Sequence, residues 1–207
     1  MNALKRYLSK YIHQSRMTIL CELAEKHLTD KGPSFHGYTK FYHEVITKYM
    51  DPHSVQKVGE IGIGTFVCMC HVSETYIPGA SLRMWEEFFP NASIYGFDIE
   101  ESTLFKKDRI TCKKMDQSSK DSIHEALQSC GSDFDIIIDD GSHVLQHQLL
   151  TKANASKYVK IGGLLIIEDI QERYLAYWFE DPPEGFERVA ISEDDPLNNF
   201  VIYRRLS

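Results

Sequence analysis

The run Phe134-Asp135-Ile136-Ile137-Ile138-Asp139-Asp140-Gly141-Ser142-His143 decides the fold, and Gly162-Gly163-Leu164-Leu165-Ile166-Ile167-Glu168-Asp169 repeats its pattern. Each is a short apolar stretch of the kind a fully buried parallel strand needs, and each ends abruptly in paired acids. One helical stretch, roughly residues 143 to 160, separates them as a crossover would, so the two strands should be neighbours. Adjacent strands lie about 5 Å apart. Asp139, Asp140, Glu168 and Asp169 are therefore expected to crowd together at the carboxyl ends of the strands, where open α/β sheets bind ligands. Like charges in one small volume need a cation or protons. Oxygen donors beside a single histidine suit Mg²⁺ better than zinc. The plainer alternative is that these acids cap helices and solvate strand ends.

Outward from this pair, strand signals fall at Val55 to Ile61, Ser93 to Asp98, Ile110 to Met115, Phe134 to Asp139, Leu164 to Glu168, Phe186 to Ser192 and Asn199 to Arg204. The first five alternate with helical segments. This predicts an α/β fold with a doubly wound, seven-stranded, mostly parallel sheet. The last two are joined by the turn-rich Glu193-Asp194-Asp195-Pro196-Leu197-Asn198, which leaves no room for a helix and implies an antiparallel edge hairpin. Two helices precede the sheet. In the first, from about Ala3 to Leu28, the residues Leu4, Leu8, Ile12, Ile19, Leu20 and Leu23 recur at near-helical spacing; the second runs from about Tyr38 to Tyr49. The expected organisation is a single domain, with residues 1–50 as a helical segment packed on a catalytic core of residues 51–207.

Composition narrows the class. The 207 residues, 43% of them hydrophobic, suffice for one sizeable core. The start, Met1-Asn2-Ala3-Leu4-Lys5-Arg6-Tyr7, turns polar at once, and no apolar run is long enough to span a bilayer. A soluble, cytoplasmic protein with no membrane partner is expected. Five cysteines without an export signal read as reduced thiols. Cys68-Met69-Cys70 lacks the second Cys or His pair that a zinc site requires. A net charge of −7 without a basic run disfavours nucleic acid as a partner.

The first strand carries the nucleotide signal. Val58-Gly59-Glu60-Ile61-Gly62-Ile63-Gly64-Thr65 runs from a strand into a glycine-rich turn, where absent side chains let the backbone approach a ligand. A dinucleotide fingerprint wants a third glycine at position 67, which is valine, and no phosphate-loop Gly-Lys-Ser/Thr follows. A nucleoside without a pyrophosphate, such as S-adenosylmethionine, fits better. Asp98, closing the second strand, would accept from the ribose hydroxyls, and Asp116-Gln117-Ser118, after the third, would read the adenine edge. Each reading has a structural alternative, a tight turn for the glycines and a helix or turn cap for the acids.

Together, Glu60-Ile61-Gly62-Ile63-Gly64, Gly79-Ala80-Ser81-Leu82-Arg83-Met84-Trp85, Pro90 to Asp98, Asp116-Gln117-Ser118, Asp139-Asp140-Gly141-Ser142-His143 and Glu168-Asp169 resemble the metal-dependent macrolide-sugar O-methyltransferases of the mycinamicin and demethylmacrocin type, within the class I S-adenosylmethionine-dependent superfamily. The resemblance spans roughly residues 28–170, and Thr29-Asp30-Lys31-Gly32 and His36-Gly37-Tyr38-Thr39 fit it too. It implies S-adenosylmethionine and Mg²⁺ as cofactors and a hydroxyl of a sugar or glycoconjugate as the acceptor. It assigns the metal to Asp140, Glu168 and Asp169 and the general base to His143. Lys31, Tyr38, Glu60, Gly62, Gly64, Arg83, Asp98, Asp116, Gln117, Ser118 and Asp139 fall to the cofactor side. Asp139 has a supporting role in the metal shell as its alternative, and Arg83 has pairing with Glu86 or Glu87.

Trp85 is expected in the core, and His147 facing outward or packing. Tyr174, Tyr177 and Trp178 are expected either to wall an acceptor pocket or to fill the core. A catechol-type O-methyltransferase and a non-catalytic cofactor-binding module are the alternative functions, and a homo-oligomer is compatible with all of them.

Overall fold

A computed structural model of the chain describes residues 17–179, 182–192 and 195–207. In chain order its main elements are α1 (Ile19–His27), α2 (Tyr38–Tyr49), β1 (Lys57–Ile61), α3 (Phe66–Met69), α4 (Ala80–Phe88), β2 (Ser93–Asp98), β3 (Lys106–Lys107), β4 (Ile110–Lys114), α5 (Lys120–Gln128), β5 (Phe134–Asp139), α6 (Leu145–Ala155), β6 (Val159–Ile170), α7 (Ala176–Phe179), β7 (Phe186–Ile191) and β8 (Asn199–Arg205).

The strands form one sheet in the order β3-β4-β2-β1-β5-β6-β8-β7. β1, β2, β4, β5 and β6 run parallel, and β8 pairs antiparallel with β6 and β7. From β1 the chain winds outward through β2 to β4, then returns to the other side of β1 for β5 and β6. The order therefore reverses between β1 and β5, and that crevice is where such sheets receive ligands.

Both faces of the sheet are buried, which explains the continuous apolar runs. Along β5, Ile136 and Ile138 join one core layer while Phe134 and Ile137 join the other; in β6, Leu164 and Ile166 alternate likewise with Leu165 and Ile167. The first layer is closed by α1, α2 and α4 through Leu20, Tyr42, Ile46 and Trp85; Ile123 and Leu127 of α5 and Trp178 of α7 close the second. α1 starts where the Thr18 hydroxyl accepts from the Cys21 amide, and ends where Leu28 turns left-handed.

Among the described residues the sheet has eight strands where seven were expected. The additional one, β3, is Lys106-Lys107, folded back on β4 through a turn in which Asp108 has φ +50°. Two exposed lysines carry no apolar periodicity, so pairing alone makes them a strand. β6 is also longer than its apolar run, and the edge strand is β7, with β8 inserted between it and β6. In α1, Leu20 and Leu23 are buried but Ile19 is half exposed; Leu4, Leu8 and Ile12 lie outside the described residues. Among the described residues, no helix is long and apolar enough to cross a membrane.

Candidate functional site

A cavity of about 480 Å³ opens at the carboxyl ends of β1, β2, β4 and β5. Gly62, Gly64, Asp98, Asp116, Gln117 and Ser118 all line it. Gly62 and Gly64 have φ of +93° and +78°, which suit glycine. A Cβ on Gly62 would stand 1.9 Å from the Asp140 carbonyl oxygen, so this turn and the end of β5 touch backbone to backbone.

Asp98 closes the turn. Its Oδ2 accepts from the Ile63 amide at 2.8 Å and its Oδ1 from the Glu100 amide at 2.9 Å, leaving further lone pairs for a ligand hydroxyl. Asp116 accepts from the Ser118 amide and hydroxyl, a local turn on the cavity rim. Gln117 is committed inward. Its Nε2 donates to Asp139 Oδ1 at 2.6 Å and to Thr151 Oγ1, and its Oε1 accepts from the Ser142 amide. That side chain braces the end of β4 against the end of β5.

Five residues expected at the cofactor do not line this cavity. Arg83 turns away, its guanidinium donating to the Ile77 and Pro78 carbonyls, and so it pairs with neither Glu86 nor Glu87. Glu60 is buried beneath the turn, accepting from Trp85 Nε1 at 2.5 Å, and Trp85 is a core residue. Asp139 is buried and held by Gln117 and the Gly141 amide. Lys31 and Tyr38 belong to the neighbouring acidic centre.

Thr29 and Asp30, part of the stretch the resemblance had included, line the cavity from the α1–α2 loop. Sequence reasoning missed other lining residues: Cys68, Met69 and Tyr76 from the segment after Gly64, and His147 from α6, where its Nδ1 lies 2.8 Å from Ser142 Oγ. The segment after Gly64 carries no periodic signal, and only folding brings it over the cavity. Tyr174, Tyr177 and Trp178 are absent from the cavity wall; Trp178 is core and Tyr177 is exposed.

The acidic centre adjoins the cavity. Lys31 Nζ lies 2.5 Å from Asp140 Oδ2, 2.6 Å from Glu168 Oε2 and 3.4 Å from Glu60 Oε1. His143 Nε2 lies 3.3 Å from Asp140 Oδ1 and 3.4 Å from Asp169 Oδ2, and the Tyr38 hydroxyl donates to Asp169 Oδ1 at 2.5 Å. Consecutive strand residues point to opposite faces, yet Glu168 and Asp169 serve one site. The reason is local. The β6–β8 register slips between Ile167 and Ile170, and Asp169 adopts φ +53°. His143 is also left-handed, at φ +56°, so two strained residues face each other here.

Burial opposes every charge in this centre, and the neighbours decide the outcome. Burial disfavours the charged form of Asp140, but Lys31 and His143 more than offset it and bring its pKa down to about 2. Burial likewise disfavours protonated His143, yet Asp140 and Asp169 hold it up at about 9. Lys31 is held charged by Asp140, Glu168 and Glu60 despite complete burial. Burial pushes Asp139 up to about 6, and burial together with Asp140 raises Asp169.

The donor set fits Mg²⁺. Asp140, His143 and Asp169 each offer one ligand atom, all within 4.8 Å of one another. Glu168 Oε1 and Glu60 Oε1 are buried without a hydrogen-bond partner. Were Glu60, Asp140, Glu168 and Asp169 all ionised, they would outnumber the cationic Lys31 and His143 by the charge of one divalent cation; without such an ion, burial raises Glu168, Glu60 and Asp169 toward the protonated form. Hard oxygen donors of this kind suit Mg²⁺.

No family model matches the chain. The chain is 36% identical over 159 residues to demethylmacrocin O-methyltransferase of Streptomyces fradiae, a match covering 77% of this chain and 37% of that protein. It is 34% identical over 164 residues to mycinamicin VI 2''-O-methyltransferase of Micromonospora griseorubida, covering 79% and 38%. Among solved structures it resembles the MycE methyltransferase of the mycinamycin biosynthetic pathway in complex with Mg, SAH and mycinamycin VI, with a TM-score of 0.68 and 28% identity over 92% of this chain and 56% of that one. The chain spans little more than a third of the length of the curated relatives it matches. The motif resemblance is thus a relationship of both sequence and fold, and the sheet is that of a class I methyltransferase.

Proposed function

We propose, from this kinship in sequence and fold with sugar O-methyltransferases, that the protein transfers a methyl group from S-adenosylmethionine to a hydroxyl of a sugar or glycoconjugate with Mg²⁺ assistance. One observation carries the reading. Asp140 and His143 line the nucleoside-sized cavity and also belong to the acidic centre, so a methyl donor and a metal would share one wall.

On this reading the glycine turn and Asp98 hold the nucleoside, and Asp140, Glu168 and Asp169 hold the ion. When bound, Mg²⁺ supplies Lewis-acid polarisation, which makes an alcohol-like hydroxyl a better proton donor. The acceptor oxygen forms a bond to the methyl carbon as the carbon–sulfur bond breaks, the sulfonium leaves as a neutral thioether, and the hydroxyl proton goes to a base. His143 is the group suited to take it, since only the neutral ring accepts a proton and the carboxylates of Asp140 and Asp169, 3.3 and 3.4 Å from Nε2, would stabilise the imidazolium that forms.

The test incubates glycosylated small molecules with enzyme and isotopically labelled S-adenosylmethionine, with and without chelator, and reads methylated products by mass spectrometry. Label in a sugar hydroxyl, lost on chelation and restored by Mg²⁺, is the expected result. Cofactor binding without turnover across a diverse panel would overturn the reading in favour of a binding module.

A further inference from the structure

We propose that Lys31 is a permanent partner of the metal centre, a positioning residue that keeps one oxygen each of Asp140 and Glu168 and leaves the other oxygen of each for the divalent ion. This rests on the Mg²⁺ reading above.

The geometry divides the carboxylates oxygen by oxygen. Lys31 Nζ takes Asp140 Oδ2 and Glu168 Oε2. Asp140 Oδ1 is the atom that faces His143, and Glu168 Oε1 is buried with no hydrogen-bond partner. A lysine that filled the ion's own position would be expected to draw on Asp169 too, whereas Asp169 pairs with Tyr38 and His143.

Two further features argue against displacement of the lysine by the ion. Its side chain is 1% exposed, so withdrawal would leave a void among Glu60, Asp140 and Glu168. Its backbone is fixed, since Lys31 accepts from the Thr39 amide and the flanking loop closes through Gly37 donating to Gly32. Partners of this type, which orient metal-ligating carboxylates from outside the coordination sphere, are a general requirement of metal sites.

The experiment follows the ζ-ammonium signal of Lys31 by NMR in protein labelled with ¹⁵N-lysine, the signal being assigned by its absence in Lys31→Arg. It should be visible in chelator, and at saturating Mg²⁺ it should persist and shift. In parallel, Lys31→Met should lower Tm by on the order of 5–15 °C both in chelator and at saturating Mg²⁺, because the lysine acts in both states. Loss of the signal on Mg²⁺ binding, its absence in metal-free protein, or a Tm deficit confined to chelator would overturn the proposal. If Lys31→Met does not fold, the wild-type spectra decide alone. Calorimetry separates the two levels of inference. Mg²⁺ uptake with loss of the signal defeats only the role of Lys31, whereas no Mg²⁺ uptake by the wild-type protein defeats the metal reading as well.

Discussion

The two halves of the site are built on opposite principles. The cavity side is largely backbone: two glycines with positive φ, a strand-end aspartate bonded to two amides, and a turn at Asp116 closed on itself. The acidic centre is almost entirely side chains, drawn from the α1–α2 loop, α2, the end of β5 and a bulge in β6. Backbone sites tolerate exchange of their neighbours and are fixed by local geometry. Buried charge clusters stand or fall together, since removal of one member leaves another uncompensated. The halves meet where Gly62 touches the Asp140 carbonyl and where Asp140 and His143 belong to both.

If they are separable, chelation should abolish turnover and leave S-adenosylmethionine affinity intact by calorimetry. A parallel loss of cofactor binding would show that the ion organises both halves. Next in size, His143→Ala should lower the rate about 10²–10⁴-fold, the range for a lost general base, with cofactor affinity unchanged. A small loss of rate would shift the acceptor toward an acidic, catechol-like hydroxyl.

Gly62→Ala tests the seam between the halves. With a methyl 1.9 Å from a carbonyl oxygen on a backbone of φ +93°, it should destabilise the fold by about 1–3 kcal/mol and weaken both cofactor and Mg²⁺ binding. Normal affinity for either ligand would refute the close approach. Asp98→Ala should weaken cofactor binding by about 1–3 kcal/mol through loss of a charge-assisted acceptor while Mg²⁺ affinity holds.

The smallest effect is a pH dependence confined to the acidic side. In metal-free protein His143 is raised from 6.5 to about 9, so its contribution to stability is fully present below pH 6.5 and is lost as pH rises through 9. The ring is two-fifths exposed, which keeps the effect modest. The Tm difference between wild type and His143→Ala in chelator should shrink across that window; a difference that grows with pH would reverse the assignment.

The cavity side was legible because its pattern is local. A strand running into Gly62-Ile63-Gly64, and acids closing the next strands at Asp98 and Asp116, are patterns within a few residues, and the structure brings all of them to one cavity. The acidic pairs at 139–140 and 168–169 were equally visible, and parallel pairing of β5 with β6 brings their strand ends side by side. The readings that changed concern residues whose partners no sequence pattern marks. Lys31 and Tyr38 meet β5 and β6 from more than a hundred positions away. Arg83 and Gln117 spend their polar atoms on carbonyls and side chains that no local pattern reveals. His147 was expected away from the cavity and lies on its wall.

The sequence by itself determined the layered architecture, because strands buried on both faces must be continuously apolar and helices must alternate with them. It also determined which residue types stand at the ligand-binding ends of the strands. Only the tertiary structure decided how those acids share their charge. The β6 bulge turns Glu168 and Asp169 toward the same site, and Lys31 enters it from the α1–α2 loop. Electrostatic energies depend on ångström separations and on burial, and neither is written in the order of residues along a chain.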